Sequence, residues 1–368
     1  MKNQILRLEQ LAEDFLELHR IQGNVGSLPR FAIHRGAQEY DLFGTIDAVY
    51  TYYTLGTLTQ HLDRANRAEA AKLILACQDE QGWFTERNLS GHSPEHSTAY
   101  AIGALCLLAC DDDEDYLTQL KPLNALLPLL TNRKVFLRWI RAIGFRPTPG
   151  SILAKNLGWH YVWRGSHVGG GVPAAIGMTC HLFDQWWPGQ VDSSAWFRDY
   201  FNWLEEHVNP QSGYWQLAFW NLVYHKPTLI DMGGAVHFYW IYEALERPFK
   251  HPAAIIRSTL PLQGEDGLYK DHPFCIDLDG NYCLIRPWLQ LSPEEQSKYR
   301  EGVYQAAEKN FEAVVSTLTT RPLQEIYEHS HGLPGALIAL VECTKLPGFK
   351  YTSALSGWQH PLDKVWWL

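Results

Sequence analysis

Five short polar clusters interrupt an otherwise apolar chain, and each combines residue types that move protons or bind anions. They read His92-Ser93-Pro94-Glu95-His96, then Trp159-His160 through Trp163 and Arg164 to Ser166-His167-Val168-Gly169-Gly170-Gly171, then Asp231-Met232-Gly233-Gly234-Ala235-Val236-His237. The last two are Asp277-Leu278-Asp279-Gly280-Asn281-Tyr282 and Glu328-His329-Ser330-His331-Gly332. A shorter relative stands at Asp41-Leu42-Phe43-Gly44-Thr45-Ile46-Asp47. Histidine titrates near neutral pH and serves as acid or base. Two adjacent carboxyls such as Asp277 and Asp279 cannot both ionise cheaply, so one is held protonated. Capping of helix starts by Asp, Ser and His explains part of each cluster. It does not require Glu, His and Arg to recur in five separate places.

Helices must position these groups. Ser194 to Val208 repeats Trp196, Tyr200, Leu204 and Val208 every four residues, with charged residues opposite, which predicts a surface helix with one buried stripe. Leu291 to Leu318 predicts another, opened by Ser292 as N-cap, Pro293 and Glu295. By contrast, Ser97 to Cys110, Gly170 to Phe183, Met232 to Leu245 and Leu333 to Val341 are apolar nearly all round and must be enclosed. Polar turns containing Gly82, Gly213 and Gly267, each followed by aromatic residues, join one kind of helix to the other. About six such helical hairpins fit the length. The expected fold is all-α, a single (α/α)6 toroid over residues 1–368, with a long loop at Arg146 to Gly158. Inner helices of such a ring start at one end, so the polar clusters would ring one mouth, where helix dipoles favour anions.

Composition excludes several classes. The chain has 31 basic and 40 acidic residues, a net charge of −9, which argues against a nucleic-acid binder. Its 46% apolar content and 13% aromatic residues fit a large core and an aromatic-lined cavity, not disorder. The most apolar stretch, Ala99 to Cys110, is far shorter than the roughly 20 residues needed to span a bilayer. Seven cysteines without any CxxC spacing predict reduced core thiols and a cytoplasmic protein. Asp111-Asp112-Asp113-Glu114-Asp115 reads as a solvated acidic turn.

The Gly-aromatic hairpins resemble those of the terpenoid cyclase and protein prenyltransferase toroids. Asp277-Leu278-Asp279-Gly280 at a helix start resembles the DxDD motif of class II terpene cyclases, with Gly280 where the motif has its last Asp. The resemblance implies that Asp279 protonates an alkene and starts carbocation cyclisation of an isoprenoid, with Asp277 as its partner. His237, His167 and Arg164 would orient the substrate or terminate the reaction, with Trp163, Tyr239 and Trp240 lining the pocket. The prenyltransferases carry a zinc site of Asp, Cys and His. Here Cys275 and Cys283 flank the acidic pair, no His occupies the matching position, and no metal or cofactor is expected. His329 to Gly335 is similar to the His-Gly turns of lanthipeptide cyclases, whose cysteine zinc ligands have no counterpart in this chain.

A second class stays open beside the first. Polysaccharide lyases, glycoside hydrolases and sugar epimerases also use helical toroids, with His, Tyr or Glu as acid and base, Arg for a carboxylate and Trp as a sugar platform. His96, Glu95, His160, Arg164, His167, Asp231, His237, Tyr239, Tyr282, Arg286, His329 and His331 supply these types. So many histidines sit poorly with a hydrocarbon-only pocket. The expected partner is a small molecule, an isoprenoid or a glycan, and neither nucleic acid nor a membrane-inserted state. A non-catalytic binding scaffold is the third class.

Overall fold

The computed structural model describes residues 1–21, 30–85, 92–109, 114–143, 160–215 and 226–368, and the side chains of 160–164 lie outside that description. The loop expected at 146–158 and the acidic run 111–113 also lie outside it. Among the described residues the chain is helical, with isolated β-bridges and no strand. No helix there is long and apolar enough to cross a membrane.

Among the described residues, twelve helices have eight residues or more. They are α1 (Lys2–Glu17), α2 (Leu42–Leu55), α3 (Arg64–Leu75), α4 (Pro94–Leu108), α5 (Arg133–Ala142) and α6 (His160–Thr179). After these come α7 (Ser193–His207), α8 (Leu229–Ala244), α9 (Pro252–Thr259), α10 (Cys275–Leu289), α11 (Pro293–Thr320) and α12 (Gly332–Cys343). The even-numbered helices are the apolar ones. In α2 every residue is buried, including Asp47, Thr51 and Thr54. These six pack in sequence, α2 on α4, α4 on α6, α6 on α8, α8 on α10 and α10 on α12, and α12 returns to α2. A helix with no polar face needs neighbours on all sides, and this circuit supplies them.

The odd-numbered helices keep a wet face. In α7, Trp196, Tyr200, Phe201 and Leu204 are buried, as the fourfold spacing predicts, and the Tyr200 hydroxyl donates to the Gly169 carbonyl of α6 at 2.8 Å. Along α11 the buried stripe runs from Val303 to Thr319 and packs on α10, α12 and α1. Its N-terminus departs slightly from expectation. The Ser292 hydroxyl accepts the Glu295 N–H, but the Glu295 carboxylate accepts from that hydroxyl rather than from the Ser292 backbone. All three expected turn glycines have positive φ: 91° at Gly82, 75° at Gly213 and 94° at Gly267. At Gly82 and Gly267 a Cβ would also meet a backbone carbonyl, at 2.5 and 2.7 Å, so only glycine fits.

Caps explain where the even-numbered helices begin. The Asp41 carboxylate accepts the Gly44 N–H at 2.7 Å, Ser93 caps α4 ahead of Pro94, and Thr228 with Asp231 forms a capping box on α8. The segment 364–368 brings Trp367 against α2, α4, α6 and α8. Trp367 is fully buried there, its carbonyl accepts the Tyr50 hydroxyl at 2.8 Å, and its ring stacks on His237 at 5.0 Å.

Candidate functional site

The N-terminal halves of α2, α4 and α6 and the start of α12 converge, and histidines meet there. His92 and His96, one turn apart at the start of α4, have ring centroids 4.4 Å apart. His167 of α6 stacks on His96 at 4.6 Å and on His92 at 5.5 Å. His331, the N-cap of α12, stands edge-on to His92 at 4.9 Å, and His237 of α8 reaches His167 at 4.9 Å. Phe43 of α2 closes one side, 5.0 Å from His331 and 5.2 Å from His92.

One carboxylate organises this group. Asp47 is fully buried and accepts three hydrogen bonds: from the Tyr100 hydroxyl at 3.0 Å, the Ser330 hydroxyl at 2.6 Å and the His331 Nδ1–H at 2.9 Å. The last bond fixes the His331 tautomer with its lone pair on Nε2, and side-chain exposure of 19% leaves that ring accessible from outside. His96 is the opposite case. It is 3% exposed, and burial together with its histidine neighbours holds it well below the usual range, so it is neutral. His237 is pushed down to about 3 by burial, and the Ser166 hydroxyl lies 2.9 Å from its Nδ1. A base that weak does not activate a serine, so the pair is a packing element.

The acidic pair on α10 divides its work. Asp277 accepts from the backbone N–H groups of Tyr269 and Phe274, both at 3.1 Å, and from the Asn310 amide at 2.7 Å. It ties the helix start to the preceding turn and to α11, and burial still raises it to about 6. Asp279 is 1% exposed, and its Oδ2 has no hydrogen-bond partner. Burial first and the Asp277 charge second hold it well above the usual carboxylate range. Cys275, one helical turn before Asp279 on the same face, is exposed, yet desolvation pushes its thiol well up.

The expected residues therefore separate. His96, His167, His237 and His331 meet. Glu95 is half-buried beside them, its carbonyl 2.8 Å from where a Cβ on Gly171 would sit. Trp240 packs on His237 at 4.9 Å, and His329 stands 6.4 Å from His331. Asp231 serves as the α8 cap. Tyr239 turns away and donates to the Gly213 carbonyl. Tyr282 lies in the middle of α10 and Arg286 in its last turn. There Arg286 grips Glu342 through two hydrogen bonds at 2.6 and 2.8 Å and also pairs with Glu243, which accepts the Tyr282 hydroxyl. Arg286 stands in the last turn of α10 and Asp277 in its first, so Arg286 could not share its end. His160, Trp163 and Arg164 fall in the first turns of α6, with side chains outside the described residues. A separate groove between α1 and the end of α11, lined by Arg7, Phe15, Thr319 and Leu323, carries none of these groups.

Nitrogens of His92, His96 and His331 lie within 4.8 Å of one another, close enough for ligands of one metal ion after a small contraction. The Asp47 bond to His331 is the kind of second contact that metal-binding histidines make.

Comparison of the chain with protein-family models, curated proteins and solved structures found no match in any of the three. The site must be read from its own chemistry.

Asp47, His92, Tyr100, Ser330 and Trp367 belong to it without standing out as single residues in the sequence. His92 and Ser330 lie inside the polar clusters, and Asp47 ends the shorter one, so a weak signal existed. Trp367 gives none, since 271 positions separate it from His96.

Proposed function

We propose that the chain is an (α/α)6 toroid enzyme, with the even-numbered helices as its inner ring and the odd-numbered ones outside. It acts on a small polar, sugar-like molecule as a lyase or epimerase. Its first step removes a proton from carbon next to a carboxylate or carbonyl. The Asp47–His331 pair carries this reading: a buried carboxylate orients an accessible imidazole with its lone pair outward. His331 Nε2 takes the proton, the C–H electron pair moves onto the carbonyl oxygen, and the enolate forms beside His96. A lyase then expels the substituent on the next carbon, and an epimerase returns the proton to the opposite face. Hydrolysis of a glycosidic bond fits less well, because that chemistry uses two working carboxyls and Asp47 is committed to three hydrogen bonds. The six described cysteines are free thiols, which supports a cytoplasmic setting.

A second reading rests on Asp279. A buried carboxyl with an unpartnered oxygen, held protonated beside Asp277, is what acid-initiated cyclisation of an isoprenoid needs. The two readings part on substitution. Purified protein is offered uronate-containing oligosaccharides and hexosamines on one side and polyprenyl diphosphates on the other. Sugar chemistry predicts that His331→Gln loses at least about 100-fold in kcat while Asp279→Asn keeps most of it. Turnover of a polyprenyl diphosphate that vanishes in Asp279→Asn and survives in His331→Gln overturns the lyase or epimerase assignment.

A further inference from the structure

The indole N–H of Trp367 donates to Nδ1 of His96 at 2.9 Å. An indole nitrogen is a donor only, so the bond is possible in one tautomer, with the His96 lone pair on Nδ1 and the ring proton on Nε2. That Nε2–H is buried and has no hydrogen-bond partner. A buried donor left unmade is costly, and a ligand oxygen that reaches it recovers that cost. Trp367 is itself firmly seated. Tyr50 holds its carbonyl, His237 stacks on its ring, Trp240 meets it edge-on at 5.5 Å, and its ring lies 2.6 Å from where a Cβ on Gly170 would be.

We infer that the histidine cluster takes an anionic oxygen, a carboxylate or enolate, on the Nε2–H of His96, and that Trp367 is the positioning residue that enforces this over a transition metal. The competition is explicit in the geometry. His92, His96 and His331 are spaced for a metal, but a neutral imidazole ligates through a lone pair, and the His96 lone pair is occupied by Trp367. The same bond that removes a metal ligand supplies an uncharged hydrogen-bond donor. A neutral imidazole is suited to an enolate oxygen because it stabilises the charge without giving up a proton prematurely. His331, with Nδ1–H on Asp47 and its lone pair on Nε2, is set the opposite way. Donor and acceptor nitrogens thus share one small space. The inference deepens the proton-abstraction reading and rests on it for the substrate, while the tautomer and metal choice are measured without any turnover.

The experiment uses the full chain labelled with nitrogen-15 and three readouts. Histidine side-chain spectra of the wild type are expected to give His96 as the Nε2–H tautomer, and Trp367→Phe, which keeps the ring and deletes the donor, is expected to lose that preference. Titration with D-glucuronate up to about 10 mM is expected to move the His96 Nε2–H signal in the wild type and to bind at least about tenfold more weakly in Trp367→Phe and in His96→Gln. Equilibrium dialysis against zinc chloride is expected to leave the wild type without a stoichiometric site and to give Trp367→Phe one, because His96 is then free to turn a lone pair toward His92 and His331. Overturning results are a wild-type His96 with its proton on Nδ1, a His96 signal indifferent to glucuronate, or one equivalent of zinc on the wild type that His96→Gln abolishes. Failure of the sugar panel with the tautomer and zinc results intact would count against the proton-abstraction reading alone.

Discussion

His331 Nδ1 and Asp47 Oδ1 are 284 residues apart in sequence and 2.9 Å apart in space. Asp47 sits mid-way along a helix in which every residue is buried, and His331 caps another, so the bond joins the two ends of the helical circuit. Asp47→Asn keeps the size and changes the polarity. An amide nitrogen facing His331 forces the other tautomer and turns the lone pair inward. The expected loss in kcat is about 10³-fold with little change in KM. Steady-state kinetics on the substrate identified by the panels measures it, and near-wild-type kcat would remove the base assignment.

Gly171 controls how closely α6 approaches the start of α4. A Cβ there would meet the Glu95 carbonyl at 2.8 Å and the His96 nitrogen at 3.2 Å, both backbone atoms that cannot rotate aside. Gly171→Ala gains helix propensity yet must push His96 away from His167. Overpacking of this kind costs about 1–3 kcal/mol. Urea unfolding is expected to show that loss, and activity is expected to fall further than stability does. An alanine variant as stable as the wild type would mean that α4 and α6 are not held at this distance.

Much of this was legible in the sequence, and the limits have physical causes. The all-helical class, the alternation of wet and apolar helices and the glycine turns follow from periodicity and backbone sterics, which are local. His96, His167, His237 and His331 were placed together because each stands near the start of an apolar helix. The same reasoning failed for Arg286 and Tyr239, since it knew the helix but not which turn or face would reach the site. Asp277 was read as half of an acid pair, and it proves to be tied up by two backbone N–H groups and Asn310, partners no local pattern announces. Trp367 is the extreme case. Its role exists only through a contact with a histidine 271 residues away.

Cysteine reactivity tests the packing around α10. Cys180 and Cys275 are exposed, whereas Cys283 and Cys343 are buried. Native protein treated with iodoacetamide is expected to carry the label on the first two and not on the last two. Burial and the two neighbouring aspartates push the Cys275 thiol up, so its labelling is slow at neutral pH and accelerates as the pH rises. A modified Cys275 adds bulk near Tyr100, which donates to Asp47, and activity is expected to fall in step with its labelling. Rapid labelling of Cys343 before Cys275 would contradict the packing of α12 described above.

Two buried carboxyls pull stability in opposite directions with pH. Glu342, fully buried between Arg286 and His360, faces a desolvation penalty that the Arg286 charge outweighs, which lowers it from 4.5 to about 2. Its contribution is complete above pH 4.5 and is lost as the pH falls toward 2, up to about 3 kcal/mol. Asp277 is raised from 3.8 to about 6, so its ionised form is the disfavoured one in the folded chain. Stability from this group is complete below pH 3.8 and falls as the pH rises through about 6, again by up to about 3 kcal/mol. Urea midpoints followed from pH 3 to pH 8 are expected to peak between these limits. Asp277→Asn should flatten the neutral side of that peak. Glu342→Gln should flatten the acid side and cost about 3 kcal/mol at pH 7, because it removes one partner of a buried guanidinium that keeps only Glu243. A wild-type profile that rises steadily through pH 8, with Asp277→Asn parallel to it, would mean that Asp277 gains more from its three donors than burial takes away.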